Sequence, residues 1–91
     1  MSALHSDLLI NGEPATSVSA DDRGLRYGDG VFETLAVIDH QPVLVAAHLE
    51  RLRHGCARLG IPPPEQDPLA ADLGALSLPS FGPLRLTITR G

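Results

Sequence analysis

Lysine is missing from this chain of 91 residues. Its seven basic residues are all arginines: Arg23, Arg26, Arg51, Arg53, Arg58, Arg85 and Arg90. Within these residues no side-chain amine is available for Schiff-base chemistry. Positive charge is also sparse. The formal net charge is −4 and there is no basic run, which argues against nucleic acid as a partner, since that partner needs clustered positive charge. A single cysteine, Cys56, excludes an internal disulfide and fits a reducing cytoplasm. Tryptophan is absent, and two phenylalanines and one tyrosine supply all the aromatics. The core must therefore come from Leu, Val, Ile and Ala. No apolar run approaches the roughly 20 residues of a membrane-spanning helix, so no membrane partner is expected. The first residues lack the basic segment and apolar run of a secretory signal.

What is present reads as one small domain. Apolar residues make up 43% of the chain, an ordinary share for a globular protein. A domain this size buries only about 60–65% of its unfolded surface and is marginal by itself. Leu8-Leu9-Ile10 ends in Asn11-Gly12, a strong hairpin signal, with a return strand expected at about Ala15–Val18. Ser19 is expected to cap a brief helix that ends by about Tyr27, before Gly28 and Gly30. Val31–Ile38 reads as a strand with two faces. Val31, Glu33, Leu35 and Val37 share one, and Phe32, Thr34, Ala36 and Ile38 the other. The turn Asp39-His40-Gln41-Pro42 leads to an expected partner strand, Val43-Leu44-Val45.

From about Ala46 the period becomes helical. Leu49, Leu52, Cys56 and Leu59 fall on one stripe, Gly60 closes the helix, and Pro62-Pro63-Pro64 forbids its continuation. A second helix is expected over about Asp67–Leu76, burying Leu69, Leu73 and Leu76. Pro79–Pro83 reads as a loop, followed by a strand in which Leu84, Leu86 and Ile88 alternate with Arg85, Thr87 and Thr89. The fold class expected from this order is α+β: an antiparallel sheet with helices packed on one face.

Gly28-Asp29-Gly30 is the most specific local feature. Two glycines permit a sharp reversal, and Asp29 can accept from neighbouring N–H groups. It is neither the G-x-G-x-x-G pattern nor a P-loop. His5, His40, His48 and His54 do not form a metal set; His48 and His54 diverge by about 120° on a helix. Cys56 lies on the apolar stripe and reads as a small hydrophobe.

Asp22-Arg23-Gly24-Leu25-Arg26-Tyr27-Gly28-Asp29-Gly30-Val31-Phe32-Glu33-Thr34 resembles the N-terminal signature of the fold-type IV pyridoxal-phosphate (PLP) enzymes. Asn11-Gly12, His48-Leu49-Glu50-Arg51-Leu52 and Thr89-Arg90-Gly91 agree with it in order and spacing. The likeness covers essentially the whole chain. It implies that residues 1–91 are the family's small N-terminal domain. The larger domain, with the lysine that holds the cofactor, is then expected beyond Gly91, and the strand ending at Thr89-Arg90-Gly91 reads as an interruption. No catalytic residue is expected within the chain itself. By resemblance, Arg51 contacts the cofactor phosphate, a role suited to a permanently charged planar guanidinium. Phe32 and Thr34 line the substrate pocket, and Glu33 serves structure or an interface. Arg23 and Arg90 form salt bridges that fix the fold or a dimer.

Within that family the wording is closest to aminodeoxychorismate lyase. The implied reaction converts 4-amino-4-deoxychorismate to p-aminobenzoate and pyruvate, a folate-route step, in a cytoplasmic homodimer. The downstream lysine would act as general base and the cofactor as electron sink. A D-amino-acid or branched-chain aminotransferase shares the same features. A non-catalytic dimerisation or binding module is the alternative from another class.

Overall fold

A computed structural model describes residues 8–91, so His5 lies outside the described residues. The elements are β1 (Leu9–Ile10), β2 (Glu13–Pro14), α1 (Arg23–Tyr27), β3 (Gly30–Ile38), β4 (Gln41–Pro42), α2 (Val45–Leu59), α3 (Gln66–Ala75) and β5 (Phe81–Thr89). β1 and β2 form a two-stranded hairpin, and β4-β3-β5 form an antiparallel sheet with β3 in the centre. The α+β class expected from the sequence is the class observed.

The turns set the registers. Asn11 (φ 54°) and Gly12 (φ 81°) make a two-residue turn, so Ile10 pairs with Glu13 at once. The return strand is therefore Glu13–Pro14, not Ala15–Val18 as expected. The same device recurs at Asp39 (φ 51°) and His40 (φ 64°), which pair Ile38 with Gln41. The partner strand is thus Gln41–Pro42 rather than Val43–Val45. Val43 N–H still donates to Ala36 O at 2.9 Å. Leu44 then turns left-handed (φ 58°), and Val45 opens α2.

α1 starts later than its first candidate cap. Ser19 accepts from the backbone of Asp21 and Asp22 in a preceding turn. The helix cap is Asp22, whose carboxylate accepts from Gly24 N–H at 2.9 Å and Leu25 N–H at 3.3 Å. The end of β5 decides this. Thr89 Oγ1–H donates to Asp22 Oδ1 at 2.9 Å, and Arg23 N–H donates to Gly91 O at 2.9 Å. Asp22 is thereby held where the helix begins.

β3 and β5 pair over nine residues each, from Gly30 opposite Thr89 to Ile38 opposite Phe81. Phe81, Gly82 and Pro83 belong to the strand, not to the expected loop. Pro83 is tolerated because β5 is an edge strand. Leu35, Val37, Leu84 and Leu86 point to one side and pack with Leu49 and Leu52 of α2 and Leu73 of α3. Both helices lie on this face. Burial of each such side chain stabilises the fold by about 1.5–3 kcal/mol before entropy is counted.

Cys56 is buried as expected, but Leu59 is exposed. Gly60 (φ 70°) turns the chain so that Ile61, not Leu59, enters the core. Gly60 N–H donates to Ala57 O and Ile61 N–H to Cys56 O, the two bonds of a Schellman motif. In α3 only Leu73 is fully buried, with Leu69 and Leu76 half-buried. Among the described residues no helix is long and apolar enough to cross a membrane.

Candidate functional site

The Gly28-Asp29-Gly30 turn joins four elements. Gly28 (φ 65°) caps α1 in the left-handed region. A Cβ at Gly30 would lie 2.6 Å from Ile88 O, so the β3–β5 pairing admits no larger residue there. Asp29 Oδ2 accepts from Arg90 Nε at 2.6 Å and from Arg23 Nε at 3.2 Å. These bonds, that of Arg90 foremost, hold the Asp29 carboxyl below its ordinary range. Arg90 also donates to Leu59 O at 2.6 Å and to Gly60 O at 3.2 Å, satisfying carbonyls at the end of α2. Arg23 and Arg90 thus tie the fold together, as the sequence led us to expect.

Phe32 and Thr34 stand on the β3 face that, among the described residues, no helix covers, and both are exposed. Thr34 is opposite Arg85, and Phe32 is opposite Thr87. The Arg85 guanidinium stacks over the Phe32 ring, 4.0 Å from its centroid, a cation–π contact. A depression of about 450 Å³ runs from α1 to this face, lined by Leu25, Gly28, Phe32, Arg85 and Thr87 among others. An aromatic ring, a hydroxyl and a fixed positive charge therefore meet on one open surface. Such a set can bind a flat organic anion. Arg85 did not stand out in the sequence. Its strand parity was readable, but its place beside Phe32 and Thr34 depends on the β3–β5 register.

Arg51 is on the other side. It projects from α2, which packs against the opposite face of β3, and its side chain is 73% exposed. Its nearest ionic partner is Glu33, with Nε 3.7 Å from Oε2. His48 Nδ1, in its protonated tautomer, donates to Glu33 Oε1 at 2.7 Å. The structure therefore brings Phe32 and Thr34 together and sets Arg51 apart from them across β3. Gly55 lets α2 approach this closely: a Cβ there would come 3.2 Å from Val31 Cγ1.

An exposed guanidinium that, among the described residues, is held by one long contact fits a phosphate, which it can grip with two parallel N–H bonds. The residues present fit that part of a phosphate-bearing cofactor. With no lysine in the chain, any Schiff-base amine must lie outside these residues. Cys56 offers no nucleophile, because burial pushes its thiol pKa up. Among the described residues no group of three or more His, Cys, Asp or Glu is placed to hold a metal.

The fold, the glycine turn and the two-sided strand define the small α+β domain of the fold-type IV enzymes. The sequence model for amino-transferase class IV matches residues 30–91, and the chain belongs to that family. It is 36% identical, over 97% of its own length and 32% of the relative's, to a bifunctional aminodeoxychorismate lyase / D-amino acid transaminase of Mycobacterium tuberculosis. It is 39% identical to an aminodeoxychorismate lyase of Vibrio harveyi, over 62% of this chain and 21% of that one. A crystal structure of 4-amino-4-deoxychorismate lyase from Pseudomonas aeruginosa superposes with a TM-score of 0.77 at 45% identity, covering 89% of this chain and 30% of that one. The PLP-bound form of a hypothetical aminotransferase from M. tuberculosis gives 0.77 at 35% identity, covering 91% and 31%. The chain thus spans about a third or less of the length of these relatives.

Proposed function

We propose that this chain is the N-terminal small domain of a PLP-dependent 4-amino-4-deoxychorismate lyase, which releases p-aminobenzoate and pyruvate on the folate route. The observation that carries the reading is the uncovered β3–β5 face on which Phe32, Thr34 and Arg85 meet. The substrate is a cyclohexadiene bearing two carboxylates. Phe32 offers its ring an apolar surface, Thr34 a hydroxyl, and Arg85 a permanent positive charge for a carboxylate. Arg51 would hold the cofactor phosphate. β4 pairs with β3 only at Val37 and Ile38, so among the described residues no strand covers the β3 edge near Glu33.

When bound, the cofactor supplies an electron sink for charge that develops on the substrate. The amine that anchors it and moves the proton must come from beyond these residues. Likeness to relatives named as lyases supports this choice within the family. The reading includes a cytoplasmic homodimer, checked by sedimentation of the intact protein and by cell fractionation.

A second reading, D-amino-acid aminotransferase, is favoured by the M. tuberculosis relative that carries both names. The experiment begins with intact mass after incubation with PLP and borohydride. A pyridoxyl group fixed to a lysine, on a species heavier than the 9.6 kDa of these residues, is the expected result. That protein is then given 4-amino-4-deoxychorismate, or a D-amino acid with α-ketoglutarate. Formation of p-aminobenzoate and pyruvate supports the lyase; amino transfer alone replaces it with the second reading. An unlabelled 9.6 kDa species overturns both and leaves a non-catalytic module.

A further inference from the structure

We propose that Glu33 is a positioning residue that holds Arg51 from behind, through Nε, so that the two Nη atoms are presented to the cofactor phosphate. The proposal rests on the reading above, in which Arg51 binds that phosphate.

Glu33 lies on the helix-facing side of β3 with its side chain only 13% exposed. A carboxylate in that position needs partners. Each oxygen has a different one. Oε1 accepts from His48 Nδ1 at 2.7 Å, and Oε2 faces Arg51 Nε at 3.7 Å. His48 and Arg51 are three residues apart on α2, so they rise from one side of the helix toward the same carboxylate. Gly55, one turn beyond Arg51, closes the helix onto Val31 and sets this reach.

The division of the two oxygens has a consequence for Arg51. A carboxylate with both oxygens free grips a guanidinium bidentately and saturates one of its edges. With Oε1 committed to His48, the nearest approach of Glu33 to the guanidinium is at Nε, and at ion-pair rather than hydrogen-bond distance. Among the described residues no hydrogen bond engages the Nη1–Nη2 edge, and 73% exposure of the side chain leaves it open to an incoming anion. Glu33 restricts the rotation of a long side chain without occupying the edge that binds. His48 keeps Glu33 from becoming a competitor of the phosphate.

The test compares binding of PLP with binding of pyridoxal, which lacks the phosphate, to the intact protein, followed by absorbance and fluorescence. Wild-type protein prefers the phosphorylated compound, and Arg51→Ala abolishes the preference. Glu33→Gln, nearly isosteric, lowers the preference by about tenfold, within the range of coupling between contacting residues. His48→Ala lowers it in the same direction. Adding Glu33→Gln to Arg51→Ala changes the preference no further. A Glu33→Gln protein whose preference is unchanged or increased overturns the proposal. So does one that loses affinity for both compounds alike, with a lowered melting temperature, because that is a structural role. Wild-type protein that binds the two compounds equally overturns the phosphate reading of Arg51, and this proposal with it.

Discussion

Asp29 Oδ2 accepts from two arginines contributed by opposite ends of the chain, Arg23 and Arg90. Because the arginine bonds depress the Asp29 pKa in the folded state, its contribution to stability is present in full above the ordinary value of 3.8. It declines as pH falls from there and is gone below the depressed folded-state value. Asp29→Asn should lose stability at pH 6 but show a shallower further loss toward pH 3, read by denaturant titration at both. Parallel acid limbs for the two proteins would count against this account. On the open face, if the proposed dicarboxylate substrate binds there, Arg85→Ala in the intact protein should raise its KM roughly 10- to 100-fold, as expected for loss of a bond to a charged group. Arg85→Lys should recover part of it, because the charge returns without the planar stack on Phe32. The salt-bridging parts of Arg23 and Arg90 were legible from their place in shared motifs. The partners of Glu33 were not, because His48 and Arg51 reach it only through the approach of α2 to β3.

At the scale of elements, two backbone positions control the sheet and its exit into α2. Gly30→Ala would drive a methyl to 2.6 Å from Ile88 O, at the first rung of the β3–β5 ladder. Its expected cost is roughly 2–4 kcal/mol, measured as a shift in denaturant midpoint with unchanged slope. Leu44 poses the opposite case. It is left-handed and 69% exposed, so it bears a backbone cost with little burial in return. Leu44→Asn should stabilise the domain by about 0.5–1 kcal/mol, and a lower melting temperature would contradict that reasoning. The helices were legible from their 3.6-residue stripes, and α2 lies within a residue of expectation. The short strands were less so. Runs such as Val43-Leu44-Val45 carry strand propensity, yet the two-residue turn at Asp39 and His40 had already set the pairing.

Among the described residues, helices cover one face of the β4-β3-β5 sheet and leave the other open. Phe32, Ile38 and Phe81 are all exposed on the uncovered side, Phe81 to 77%. Exposed large apolar side chains gathered on one sheet face are a liability for association. The isolated 91-residue chain should therefore bind a hydrophobic dye and sediment faster as its concentration rises. The pair Ile38→Thr and Phe81→Ser should reduce both effects. A chain that stays monomeric and dye-silent at high concentration would show that this face is indifferent to water.

By itself the sequence determined the α+β class, the existence of both long strands and both main helices, and the missing lysine. Periodicity and composition act locally, and they survive any arrangement of neighbours. Tertiary structure decided three things. It moved the α1 cap to Asp22, because Thr89 and Gly91 hold the chain there. It placed Arg85 beside Phe32, because register joins residues 53 positions apart in a single face (32 and 85). It put Arg51 on Glu33, across β3 from Phe32 and Thr34, because a helix must bury its apolar stripe on one side of the sheet and carries its polar residues with it.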